Sequence, residues 1–132
     1  MILLDTNVVV HYLKGDRRVV DRIRSASYNE LSIPTIVVYE LEYGTLRSNF
    51  PERRRFQLSE GLRHIQHVPF DSAAALAAAA IRIQLERQGY PIGPLDLLIA
   101  GTAVSRAATL VTKNAAEFSR VPGLQVMDWR SE

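Results

Sequence analysis

Four segments of this chain carry an acid among residues that are otherwise apolar or turn-forming: Asp5 in MILLDTNVVV, Glu40 or Glu42 in TIVVYELEYG, Asp96 in GPLDLLIAGTAV and Glu117 in TKNAAEF. Burying an unpaired carboxylate costs on the order of several kcal/mol, a large share of a domain's net stability, so each of these acids needs a partner or a cap. Local caps are available. Asp5 can cap a helix beginning near Val8, with Thr6 and Asn7 assisting. Pro94 marks a first helical position, so Asp96 falls in a first turn, where the helix dipole favours an acid. Asn114 and Glu117 have the spacing of a capping box.

Capping does not account for everything. Asp96 shares a helical stripe with Ile99, Ala100, Ala103 and Ala107, which places it on the face that should be buried. Glu40 and Glu42 point to opposite sides of a helix that is apolar almost all round. Gly44, one turn beyond Glu40, leaves room for close approach and tips the choice towards Glu40, with Glu42 left to a surface or an interface.

Carboxylates gathered at one place raise one another's pKa and destabilise the fold unless a cation neutralises them. The chain has no Cys, which removes thiolate ligands and disulfides, and His11, His64 and His67 fall on separate elements without ligand-like spacing. Oxygen-only ligation points to a hard divalent ion, Mg²⁺ or Mn²⁺. Such an ion activates water and neutralises charge on a scissile phosphate, so the chemistry to expect is phosphodiester hydrolysis without a His or Cys nucleophile.

The elements that must position these acids follow from periodicity and punctuation. Strands are predicted over 2–5, 30–34, 65–70, 109–112 and 124–129, and helices over 8–14, 17–25, 36–47, 52–63, 72–88 and 95–107. Asp71 or Ser72 caps the Ala-rich helix, which ends at Gly89 before Pro91. Strands alternating with helices predict an α/β domain with a mostly parallel five-stranded sheet and right-handed crossovers. Ligands of such sheets gather at the carboxyl ends of the strands, where the strand order switches. Asp5 and Glu117 both follow strand ends.

The length of 132 residues suits one domain, 1–132, and 47% hydrophobic with 23% charged residues is an ordinary globular composition. No apolar run approaches the ~20 residues that cross a bilayer, and no basic stretch precedes an apolar one at the N-terminus, so a soluble cytoplasmic protein with no membrane partner is expected. The formal charge is only +2, yet the basic residues are nearly all Arg, with Lys only at 14 and 113. Arg suits planar contact with carboxylates or phosphates. Arg53, Arg54 and Arg55 in PERRRF are either a solvated helix face paired with nearby Glu or a rim that grips RNA phosphates. Tyr12, Tyr39, Tyr43 and Phe50 could stack on bases, or serve a core or dimer contact.

MILLDTN at 1–7, TIVVYELEYG at 35–44, IGPLDLLIAGTA at 92–103 and LVTKNAAEFSRVPGL at 110–124 resemble, in order and over essentially the whole chain, the PIN-domain ribonucleases, specifically the VapC toxins of VapBC type II toxin–antitoxin pairs. The resemblance implies a three-layer α/β/α sandwich and a Mg²⁺- or Mn²⁺-dependent endoribonuclease. It places the family's acids on Asp5, Glu40, Asp96 and Glu117 and settles Glu40 over Glu42. Asp5 and Asp96 would be direct ligands, and Glu40 a ligand or water-activating base. Glu117, where many relatives have Asp, would ligate directly or through water.

Thr6 and Thr112 would orient a carboxylate or a bound water, with Asn114 in support. Structured RNA is the implied substrate, commonly tRNA, with the anticodon loop of initiator tRNA in view. The implied partners are a second copy of the chain and a VapB-type antitoxin whose C-terminal segment places a basic side chain in the acidic pocket, operator DNA being met only through the antitoxin. Two other readings stand beside this one: a non-catalytic PIN module that binds an antitoxin or peptide, and a housekeeping RNA-processing PIN nuclease.

Overall fold

The helices begin where the sequence supplies an answer to their first free amides. Asp5 precedes α1 (Thr6–Leu13), Asp16 precedes α2 (Arg17–Ser25) and accepts from the Arg18 amide at 3.1 Å, and Asp71 precedes α5 (Ser72–Gln88) and accepts from the Ala74 amide at 3.0 Å. Prolines open α4 (Pro51–Gly61) and α6 (Pro94–Ser105), and α3 (Thr35–Leu46) follows Pro34. Gly89 closes α5 in the left-handed conformation, with φ of 77°. These elements come from a computed structural model that describes residues 1–27 and 29–130, so the last two residues of the expected 1–132 domain lie outside the described residues.

Five strands, β1 (Ile2–Leu4), β2 (Leu31–Pro34), β3 (Gln66–Val68), β4 (Thr109–Val111) and β5 (Gln125–Met127), form one sheet in the order β3-β2-β1-β4-β5, with every neighbouring pair parallel. The chain moves outward from β1 through β2 to β3, crosses back, and moves outward the other way from β4 to β5. Right-handed crossovers then put α1 to α4 on one face and α5, α6 and the short α7 (Ala115–Phe118) on the other. This is the expected α/β/α fold. Leu3, Leu4, Ile33, Leu110 and Val111 are fully buried, as strands covered on both faces require. Among the described residues no helix is long and apolar enough to cross a membrane.

Several boundaries differ from expectation. α1 starts at Thr6 rather than Val8, because Asp5 itself adopts the extended cap conformation and the chain turns at once. β3 is three residues rather than six: it is an edge strand, and only Gln66, His67 and Val68 find partners on β2. α4 ends at Gly61 rather than Arg63. α6 ends at Ser105, and Ala107, with φ of 52°, bends the chain back so that the Ala108 amide reaches the Ala103 carbonyl at 3.0 Å. Ala107 therefore leaves the stripe it was expected to share and is exposed, while Ile99, Ala100 and Ala103 are fully buried.

The Ala-rich α5 packs closely on α6 at Gly101. A Cβ there would lie 2.7 Å from the Ala74 carbonyl oxygen, 2.7 Å from the Ala78 Cβ and 2.8 Å from the Ala78 nitrogen. Two of these three atoms are backbone, which cannot swing aside. Helix propensity alone would favour Gly101→Ala by about 1 kcal/mol. Overpacking reverses the sign: the variant should be less stable by ~1–3 kcal/mol and melt several degrees lower. A higher melting temperature for Gly101→Ala would refute this close approach of the two helices.

Candidate active site

β1 and β4 are neighbours whose chains leave in opposite directions, which makes the crevice beyond their carboxyl ends the switch point of the sheet. Asp5 follows β1 and Thr112 follows β4. Asp5 is 3% exposed and Thr112 is 0% exposed. The Thr112 hydroxyl donates to Asp5 Oδ2 at 2.7 Å, the Thr6 amide donates to Asp5 Oδ1 at 2.8 Å, and the Asp5 amide donates to the Val111 carbonyl at 3.0 Å. Asp5 is thus both a helix cap and an oriented buried carboxylate. The two explanations offered by the sequence coexist.

Thr6, in the first turn of α1, turns its hydroxyl to α3 and donates to Glu40 Oε1 at 2.6 Å. Glu42 lies on another side of the same helix and pairs with Arg55. The structure thus brings Glu40, and not Glu42, to the other acids. Glu117 in α7 and Asp96 in the first turn of α6 complete the group.

Electrostatics records their closeness. Burial pushes the Asp5 carboxyl up, the Thr112 and Thr6 hydrogen bonds pull it back, and Glu40 and Glu117 push it further, with a net rise above 3.8. Asp96 is pushed up to about 7, first by burial, then by Asp5, Glu117 and Glu40, and by a hydrogen bond with Glu117. The charged groups that act most strongly on these two acids are other carboxylates.

The set offers a cation hard oxygen donors and excess negative charge, the two properties that Mg²⁺ or Mn²⁺ selects. Among the described residues no three Asp, Glu or His side chains stand at metal-binding geometry. The acids are therefore neighbouring donors rather than a finished cage.

The capping box expected of Asn114 and Glu117 does not form: Asn114 makes no side-chain cap bond. Its amide instead donates to Thr112 Oγ1 at 3.0 Å, so its backbone helps hold the hydroxyl that orients Asp5. None of the three histidines joins the acids; His11 sits 3.3 Å from Asp16, which caps α2.

A cleft of about 840 Å³ runs from Thr6 and Glu40 between α1, α3 and α4, and its wall carries Lys14, Arg47, Arg53 and Arg54. Arg55 points elsewhere, to Glu42, so the PERRRF triplet divides. Gly44 lines this cleft with open space above it, as the Glu40 side of α3 required. Sequence reading passed over Lys14 and Arg47. The signal was helical spacing, since Lys14 lies eight residues after Thr6 and Arg47 seven after Glu40, each about two turns along the same face. Of the aromatic candidates, Tyr12 is half-buried against the core, whereas Tyr39, Tyr43 and Phe50 are exposed.

A carboxyl whose folded pKa is raised keeps a proton that the unfolded chain has released. Its contribution to stability is fully present below the ordinary value and is lost as pH rises through the folded one. With cations chelated, the protein should lose stability between about pH 4 and 8 as Asp96 passes about 7. Asp96→Asn should flatten this loss, raising the melting temperature more at pH 8 than at pH 5. Parallel melting curves for the two proteins across that range would contradict the clustering.

The PIN domain family model matches residues 2–124. Among curated relatives, the tRNA(fMet)-specific endonuclease VapC of Shigella flexneri is 37% identical over 127 residues, covering 96% of each chain. Among solved structures, VapBC2 from Rickettsia felis bound to a DNA fragment from their promoter gives a TM-score of 0.92 at 33% identity, over 98% of this chain and 99% of that one. DNA-bound VapBC from Salmonella typhimurium gives 0.91 at 34% identity, over 97% of each. With its fold, its acidic switch point and near full-length identity above 30% in agreement, the chain belongs to the PIN-domain family, in its VapC ribonuclease branch.

Proposed function

We propose that this protein is a Mg²⁺- or Mn²⁺-dependent endoribonuclease toxin that hydrolyses phosphodiester bonds in structured RNA. The observation that carries the proposal is the four-carboxylate group at the β1–β4 switch point, in which burial and the neighbouring carboxylates push Asp5 and Asp96 up. In this reading Asp5 and Asp96 hold the cation, and Glu40 and Glu117 join them directly or through water. When bound, the cation supplies charge neutralisation at the scissile phosphate and a more acidic water.

The chain's own groups do the rest. Thr112 and the Thr6 amide occupy both oxygens of Asp5 and fix its plane, with the Asn114 backbone behind Thr112. The Thr6 hydroxyl occupies Glu40 Oε1, leaving Oε2 to take a proton from the attacking water. Lys14, Arg47, Arg53 and Arg54 grip flanking phosphates along the cleft, which makes binding salt-dependent.

The substrate we favour is tRNA, with the initiator tRNA anticodon loop as the target, a choice supported by the name of the Shigella flexneri relative. The partner is a VapB-type antitoxin, supported by the VapBC complexes among the structural relatives. A basic antitoxin side chain entering the acidic group would neutralise the same charges as the cation and block the phosphate path. Operator DNA is then met through the antitoxin. The exposed Tyr39, Tyr43 and Leu46 stripe of α3 favours a homodimer. The setting is the cytoplasm.

Incubating the purified protein with total tRNA and Mn²⁺ and mapping the product ends tests this directly. Cleavage should vanish with EDTA and in Asp5→Asn, while that variant keeps its circular dichroism and, metal-free, melts no lower than the parent. Thr112→Val, which removes only the orienting hydroxyl, should lose ~10–100-fold in rate. Cleavage surviving both EDTA and Asp5→Asn would overturn the metal mechanism. Tight antitoxin binding without cleavage of any structured RNA would return the protein to the peptide-binding reading.

A further inference from the structure

We propose that Phe50, in the connection between α3 and α4, is a stacking platform for one unpaired base of the RNA whose backbone enters the acidic site. The proposal rests on the ribonuclease reading and adds a specificity element to it. Phe50 is 63% exposed although it carries a full aromatic ring, and it lines the same cleft as Glu40. It serves α4 as N-cap residue only through its backbone, with no side-chain cap bond. The ring is therefore not needed to build the helix.

Its surroundings fit a nucleic acid better than a second apolar surface. The Arg53 guanidinium lies over the Phe50 ring, 5.1 Å from its centroid, and Arg47, also on the cleft wall, lies over the Tyr43 ring at 5.4 Å. Lys14 and Arg54 complete a wall whose only acid, among the described residues, is Glu40. Inside this cleft, which the Tyr39, Tyr43 and Leu46 stripe does not line, a second copy of this chain would bring like charges together, whereas a phosphate backbone complements them. A cation held against an aromatic ring, with phosphates gripped on either side, is how proteins hold unstacked bases without reading a duplex.

The spacing also agrees. Glu40 and Arg47 are seven residues apart on α3, ~10 Å along its axis, or about three nucleotides at the ~3.4 Å rise of a stacked strand. Phe50 lines the same cleft as both residues, so a base on it would belong to the strand that those two residues flank. A loop can supply such a base and a continuous duplex cannot, so this element would select loops over stems.

The test is RNA binding in EDTA, where no strand is cut, using a fluorescein-labelled RNA hairpin with a single-stranded loop and a fully paired RNA duplex. Phe50→Ala should weaken hairpin binding about 10-fold and leave duplex binding unchanged. Phe50→Trp should restore hairpin affinity, and its emission should be quenched by the hairpin. The parent's single Trp129 is 4% exposed and provides the unquenched reference. The salt dependence should keep its slope in Phe50→Ala and lose about one unit in Arg53→Gln.

Unchanged hairpin affinity in Phe50→Ala with unquenched Phe50→Trp, or equal weakening for hairpin and duplex, overturns the stacking role. So does a Phe50→Ala defect confined to antitoxin binding. If the parent protein cleaves tRNA with Mn²⁺ while Phe50→Ala behaves as the parent does, only the stacking role fails. If the parent neither binds nor cleaves RNA, the ribonuclease reading fails with it.

Discussion

The burial of one carboxylate, Asp5, at the seam between β1 and β4 is the constraint around which this molecule is arranged. A carboxylate 3% exposed in the middle of a sandwich is tolerable only if its oxygens are occupied, and both are, by the Thr6 amide and the Thr112 hydroxyl. Satisfying Asp5 makes other demands. Thr112 must be buried at the end of β4, the Asn114 amide must turn back onto it, and Thr6 must start a helix immediately so that its hydroxyl faces α3. Hydrogen bonding alone does not finish the task, because the net effect of the surroundings still favours the protonated acid. In the proposed mechanism a cation would meet the remaining imbalance.

Sheet order is what lets four distant segments meet. Crossing back from β3 to β4 puts the second half of the chain beside β1, so Asp96 and Glu117 arrive at the same crevice as Asp5 and Glu40. The close approach of α5 to α6 at Gly101 locks the helix that carries Asp96 at its first turn. Charge is then divided by place: acids lie together at the switch point and cations line the cleft that leads to it. A polyanion would be drawn in along the cleft and stopped where its own charge needs a counter-ion.

Much of this was legible from local pattern. Caps at Asp5 and Asp71, Pro94 opening α6, and apolar runs of strand length locate the elements to within a few residues, because each signal is read over one or two turns of chain. The misplacements come from contacts and backbone turns that periodicity does not report. β3 is short because β2 offers it only three partners, α6 stops where Ala107 bends back, and the Asn114 side chain forms no cap while its amide is taken by a hydroxyl that must also serve Asp5.

By itself, the sequence determined that the protein is α/β, that four acids interrupt apolar segments, and that neither thiol nor clustered imidazole can balance them, since composition and periodicity are local properties. Motif resemblance selected Glu40 from its pair. Tertiary structure alone decided that Glu40 meets Thr6 while Glu42 meets Arg55, that Arg53 and Arg54 face the cleft while Arg55 does not, and that Lys14, Arg47 and Phe50 belong beside them. The physical reason is that helical periodicity states which face a residue occupies, but only packing states what that face meets.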